Sequence, residues 1–210
     1  MFKEYGVTIN FRNQFAAGIP KDPEALLKFL EVRAPERKPE DAIPLEEMAE
    51  EIAEHLPAAE DAQAAITTTF KMVDGCLVYE ARNIKAHIKD CASILSKGVE
   101  KVRGLKSAVA NRIQVEPDYI PLMKEGKPVV AVDGKEIRPI TIMSRQGPRT
   151  AVKIVEFVNA PTLVFRLVTL DDKVVTKKLL EDIFTYGGRI KGMGQDRGLG
   201  WGRYSATIQE

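Results

Sequence analysis

With 210 residues, 44% hydrophobic and 29% charged, and a net charge of +1, the chain has the composition of a globular protein with room for one sizeable core. No apolar run approaches the roughly 20 residues that span a bilayer, and Met1-Phe2-Lys3-Glu4-Tyr5-Gly6 lacks the apolar centre of a secretory signal, so no membrane partner is expected. Two cysteines, Cys76 and Cys91, are too few for a disulfide framework and point to a reducing cytoplasm.

In chain order, Lys3 to Phe11 alternates, with Tyr5, Val7, Ile9 and Phe11 on one face, and reads as a half-buried strand. Asp22-Pro23 opens a helix to about Val32, and Pro44-Leu45-Glu46-Glu47 opens an acidic helix to about Leu56. Together 21–65 reads as an acidic helical insertion. Thr67 to Val73 and Cys76 to Tyr79 predict a hairpin around Asp74-Gly75. A helix follows over about 81–95, with Ile84, Ile88, Cys91 and Leu95 on its apolar side and Arg82, Lys85 and Lys89 on another. A second basic helix is expected over about 98–110 and a strand over 111–120. Asp133-Gly134 reads as a tight turn in a hairpin over 129–137. Arg138 to Arg149 shows no clear period and reads as a basic loop. Ala151 to Val158 and Leu163 to Thr169 are strands; a helix over 176–186 and a strand over 201–208 close the chain.

Without the insertion, the order is strand, helix, strand, strand, helix, strand. That predicts an α+β, ferredoxin-like or RRM-like fold: an antiparallel sheet with helices on one face, as a single domain over 1–210. The near-zero total charge hides an asymmetry. Residues 21–61 hold 13 acidic against 5 basic side chains, and 76–155 hold 15 basic against 8 acidic. Either one part meets a polyanion while another faces water or competes for that site, or two solvated surfaces carry opposite charge.

The strongest signal lies between the last helix and the last strand. Residues 186–204 hold seven glycines interleaved with Arg189, Lys191, Arg197 and Arg203. Glycine permits positive φ and close backbone approach; exposed N–H groups and cations together suit an anion such as a phosphodiester. A dinucleotide site needs strand, glycines, helix, the reverse of the order here. A Walker loop ends in Gly-Lys-Ser/Thr, and Gly202-Arg203-Tyr204 does not.

The ending Gly192-Met193-Gly194-Gln195-Asp196-Arg197-Gly198-Leu199-Gly200-Trp201-Gly202-Arg203-Tyr204 resembles the C-terminal glycine-rich loop of the RAMP superfamily, RNA-binding proteins of CRISPR effector complexes. Tyr79 to Asp90, with its Ile84-Lys85 dipeptide, resembles the segment leading into the first helix of backbone-type members. Ile137-Arg138-Pro139-Ile140 and Ser144-Arg145-Gln146-Gly147-Pro148-Arg149 resemble small uncharacterised proteins of tailed phages and mobile elements with the same ending. The resemblance covers about 76–206. It implies an RRM-like fold whose sheet, first helix and glycine loop hold single-stranded nucleic acid. It also implies a prokaryotic or phage-infected host and homo-oligomers or filaments along the strand.

The expected function is therefore binding of single-stranded RNA or DNA with little sequence preference. The candidate binding residues are Arg82, Lys85, Lys89, Arg138, Arg145, Arg149, Arg189, Lys191, Gln195, Arg197, Trp201 and Arg203. Trp201 either stacks on a base or packs in the core. Two alternatives stay open. One is a metal-independent endoribonuclease, for which His87 is the sole candidate general acid or base, His55 lying among glutamates. The other is a phage protein that acts on a host factor, its acidic helices mimicking nucleic acid. Cys76, His87 and Cys91 lack a Cys-x-x-Cys knuckle, and the glutamates over 46–54 read as one wet helix face, so no metal or cofactor is expected.

Overall fold

The computed structural model describes residues 2–21, 27, 67–98, 104–144 and 147–210, with backbone alone at 97, 98, 140, 142–144 and 147–151. The helices expected over 22–32 and 44–56, the insertion that contains them, and Arg145 lie outside the described residues.

Strand β1 (Phe2–Phe11) is the centre of the main sheet. Its alternation puts Tyr5, Val7, Ile9 and Phe11 in the core, each 4% exposed or less. Burial of such a side chain contributes about 1.5–3 kcal/mol, and a register slip would turn all four to solvent. β1 pairs antiparallel with β13 (Thr162–Leu170) on one side and with β14 (Tyr204–Gln209) on the other. β13 also pairs with β7 (Ile113–Glu116). The spatial order is thus β14-β1-β13-β7.

Helix α1 (Ala81–Gly98) joins β1 to β7, and α3 (Lys177–Tyr186) joins β13 to β14. Ile84, Ile88 and Cys91 of α1 and Leu179, Leu180, Ile183 and Phe184 of α3 share one core cluster with the inward side chains of the sheet. Thr176 caps α3: its hydroxyl accepts a hydrogen bond from the Leu179 N–H at 3.2 Å. The ferredoxin-like α+β plan with helices on one face of the antiparallel sheet is present.

Two smaller sheets flank this unit. One has the order β11-β12-β4-β3, with β2 (Gln14–Phe15) also paired to β12; its members are β3 (Ile19–Pro20), β4 (Thr67–Thr69), β11 (Gly134–Ser144) and β12 (Gly147–Asn159). The other is β5 (Lys71–Val73), β6 (Cys76–Glu80) and β8 (Tyr119–Pro121). The Asp74-Gly75 hairpin is where the sequence places it, both residues having positive φ.

Four local expectations are corrected. The second basic helix is α2 (Leu105–Arg112), which starts after Gly104. The strand over 111–120 is two strands parted at Pro117, whose missing N–H cannot serve a ladder. Asp133-Gly134 is not a hairpin turn; Glu125-Gly126 is, between β9 (Met123–Lys124) and β10 (Lys127–Pro128). The Asp133 carboxylate instead accepts from Lys124 Nζ at 2.6 Å and the Asn159 N–H at 2.6 Å. Finally, the expected basic loop from Arg138 to Arg149 belongs to the long β11–β12 hairpin. No described helix is long and apolar enough to cross a membrane.

Candidate nucleic-acid interface

The glycine-rich segment starts inside helical backbone: α3 runs on into a wider turn over Gly187–Lys191. The chain then crosses β2 and its neighbours. The Gln195 N–H donates to the Ala16 carbonyl at 2.8 Å, the Gly202 N–H to Gln14 at 2.8 Å, and the Met193 N–H to Gly202 at 2.9 Å. The Asn13 amide donates to the Gly200 carbonyl at 2.7 Å. Gly194 and Gly202 sit at φ +81 and +68, and a Cβ on either would overlap a backbone carbonyl oxygen, of Ala16 and Met193 respectively. The Phe15 ring below stacks on Phe11 at 4.0 Å. The N–H groups of Gly192, Met193, Gln195, Leu199, Gly200 and Gly202 all donate within the protein. The expected row of free N–H groups is therefore not formed at these positions. The segment is a clamped platform, and what it offers an anion is side chains.

Those side chains face α1 across a cleft of about 340 Å³. Arg82, Asn83, Ala86 and His87 come from α1, Gly194, Gln195 and Arg197 from the glycine-rich segment, and Ala17, Gly18 and Ile19 from the chain between β2 and β3. Three of the sequence's candidates, Arg82, Gln195 and Arg197, thus meet at one place. Arg197 is exposed and makes no ion pair among the described residues. Arg82, its side chain 65% exposed, donates from Nε at 2.9 Å and from Nη2 at 2.7 Å to Glu80 Oε2, whose side chain is 12% exposed. Lys85 and Lys89 lie on the adjoining face of α1, half-buried and without ion pairs among the described residues. Lys191 ties the segment to α1 through Asp90 at 2.9 Å.

The remaining candidates fall elsewhere. Arg189 lines a separate hollow of about 460 Å³ with Leu95, Tyr186 and Ile190. Arg138, on a strand rather than a loop, bonds Glu136 at 2.9 Å and lies 3.5 Å from Asp196. Trp201 is 7% exposed and packs with Ala16, Val155 and Phe157, as its core reading expects. Arg203 is half-buried, and its Nη1 has no hydrogen-bond partner among the described residues. Arg149 lies on β12 opposite Ile142.

His87 lines the cleft but is 5% exposed. Its Nε2 is 2.9 Å from the Tyr204 hydroxyl, with the Cys91 thiol at 3.7 Å. Burial, with Lys191 and Arg197 nearby, lowers its pKa to about 3. Burial likewise pushes the Cys91 thiol up to about 12 and the Tyr204 phenol well above its usual value. The three groups stay neutral near pH 7, and His87 stands far from the near-neutral pKa suited to proton transfer. Among the described residues no cluster of three His, Cys, Asp or Glu side chains could hold a metal ion.

The sheet face away from the helices carries Arg166, bonded to Glu4 at 3.0 Å and to Glu116 at 2.6 Å. Thr8, Asn10, Gln114 and Thr207 share that face with exposed Val164 and, at the strand ends, Phe2 and Leu170, so its aromatic ring lies at an edge and not at the centre. Sequence reasoning missed Asn83 and the segment 17–19. The run Ala16-Ala17-Gly18 was the available signal, since small side chains let another segment approach closely.

No protein-family model and no curated protein matches the sequence. A chain of the Type III-B Cmr-beta complex bound to cognate target RNA superposes at TM-score 0.50 and 12% identity, covering 99% of this chain and 60% of that one. A chain of a Type IV-B CRISPR complex superposes at TM-score 0.46 and 11% identity, covering 99% and 90%. The present chain thus spans 60% of the Cmr-beta chain's length. The likeness to the first is one of fold.

Proposed function

We propose that the protein binds single-stranded nucleic acid, RNA or DNA, with little sequence preference, along the cleft between α1 and the glycine-rich segment. The observation that carries this reading is the convergence on one cleft of Arg82 from α1 and Arg197 from the glycine-rich segment. Lys85 and Lys89 extend the positive wall along α1, at a spacing that can follow successive phosphates. The clamped backbone behind Arg197 and Gln195 reduces the ordering cost of binding. A neighbour in fold belongs to a complex bound to cognate target RNA, and this reading extends that ligand class to the present chain.

The test is fluorescence anisotropy with single-stranded RNA, single-stranded DNA and duplex across a salt series. Removing two phosphate contacts with the Arg82→Ala, Arg197→Ala protein reduces the slope of log affinity against log salt by about 1.4. An unchanged slope removes the cleft as the site, and no binding even at low salt removes the function.

A further inference from the structure

Resting on that reading, we propose that the cleft seats one nucleobase, unstacked from its neighbours, with the flanking phosphates at Arg82 and Arg197 on the rim. A track for backbone alone needs cations on a surface. Here the cations border a hollow of about 340 Å³, within the roughly 300–1,000 Å³ of sites that enclose a small organic group. Its apolar lining is half-buried Ile19 with the edges of Tyr79 and Met193, which are 6% and 1% exposed.

The lining also holds the carboxylates Glu80 and Asp90, paired with Arg82 and Lys191, and two side-chain amides. The backbone of Gln195 is held by its N–H to the Ala16 carbonyl at 2.8 Å, and its Oε1 accepts from the Thr68 hydroxyl at 3.0 Å. Its amide nitrogen lies against Gly18, where a Cβ would come within 2.6 Å of Nε2. With Oε1 engaged, Nε2 keeps donor capacity for a carbonyl or ring nitrogen on a base edge. Across the cleft Asn83 has one amide contact, Nδ2 to Glu80 at 3.5 Å, leaving Oδ1 to accept from a base N–H. Adenine, cytosine, guanine and uracil all carry both an acceptor and a donor on their edges. A donor on one wall and an acceptor on the other therefore require a base without selecting one.

The test compares a labelled single-stranded oligonucleotide with an abasic oligonucleotide of equal length by anisotropy. The proposal expects the abasic strand to bind about tenfold more weakly. Gln195→Ala and Asn83→Ala each remove most of that difference, whereas the Arg82→Ala, Arg197→Ala protein weakens both strands alike. Equal binding of the two strands overturns the seat and leaves the nucleic-acid reading standing. A difference untouched by both amide variants places the base elsewhere and also overturns it. Failure of both strands to bind overturns both readings together.

Discussion

The guanidinium of Arg138 stands 4.8 Å from the centre of the Trp201 ring, and Phe157 meets the same indole edge-on at 5.3 Å. Two residues whose chemistry suits nucleic acid thus serve each other. The Arg138 side chain is 18% exposed and lies beside Asp196 at 3.5 Å, so its charge is committed inside the fold. Cation–π contact contributes about 0.5–2 kcal/mol. Arg138→Ala is expected to lower unfolding free energy in urea by about 1–2 kcal/mol while oligonucleotide affinity stays within about twofold of the parent. A large affinity loss without a stability loss would return Arg138 to the binding surface.

The platform under Arg197 depends on Gly202. Its φ of +68 disfavours any side chain, and a Cβ there would overlap the carbonyl oxygen of Met193, the residue whose N–H donates to the Gly202 carbonyl. Gly202→Ala is expected to cost about 3 kcal/mol or more, read as a shift of the urea midpoint. Gly198, where an added Cβ meets nothing within 4 Å, is the control. Gly198→Ala leaves the midpoint nearly unchanged.

What was legible in the sequence follows from how each element meets solvent. β1 alternates because one face meets helices and the other water, and α1 and α3 show their period for the same reason. Ala151 to Val158 reads as a strand, but β11 and the start of β12 hid because the hairpin's pattern is inverted. Arg138 and Lys153 face inward toward Asp196, while Ile137 and Val152 face out at 67% and 55% exposure. A strand with charges inside and aliphatics outside gives no signal to a rule built on the reverse. Asp133-Gly134 carried a strong turn signature, but the Asp133 carboxylate was recruited by Lys124 and Asn159. The cleft was half legible: the sequence supplied Arg82, Gln195 and Arg197, while the small run Ala16-Ala17-Gly18 allowed a close approach without saying which segment would make it.

That third wall is fixed by a buried ion pair. Lys21 Nζ lies 2.8 Å from Glu156 Oε1, the side chains 6% and 1% exposed, and Lys135 approaches the same oxygen at 3.5 Å. The pair ties the end of β3 to β12. Removing one partner of a buried pair costs more than removing both, because a desolvated charge is left behind. Lys21→Met is expected to cost about 3 kcal/mol, tempered by Lys135. Lys21→Met with Glu156→Leu recovers most of it. Additive losses in this double-mutant cycle would show that the pair is not coupled.

His87 gives the fold a pH dependence of definite sign. Its native pKa of about 3 lies below the usual value of about 6.5, so below pH 6.5 the unfolded chain takes up a proton that the folded chain refuses. Stability is therefore complete above that pH and is lost as pH falls toward 3. Burial is the chief cause, and the Lys191 and Arg197 charges act the same way, while Asp90 opposes them. Between pH 6.5 and pH 5 the residue alone removes about 1.5 kcal/mol. His87→Gln keeps a polar group toward Tyr204 but does not titrate, so it is expected to abolish that part of the slope whatever its effect at pH 7. Urea unfolding of both proteins at pH 7, 6 and 5 measures it, since ionisations elsewhere cancel in the difference. Parallel curves would mean that His87 meets water more freely than its packing against Tyr204 and Cys91 allows.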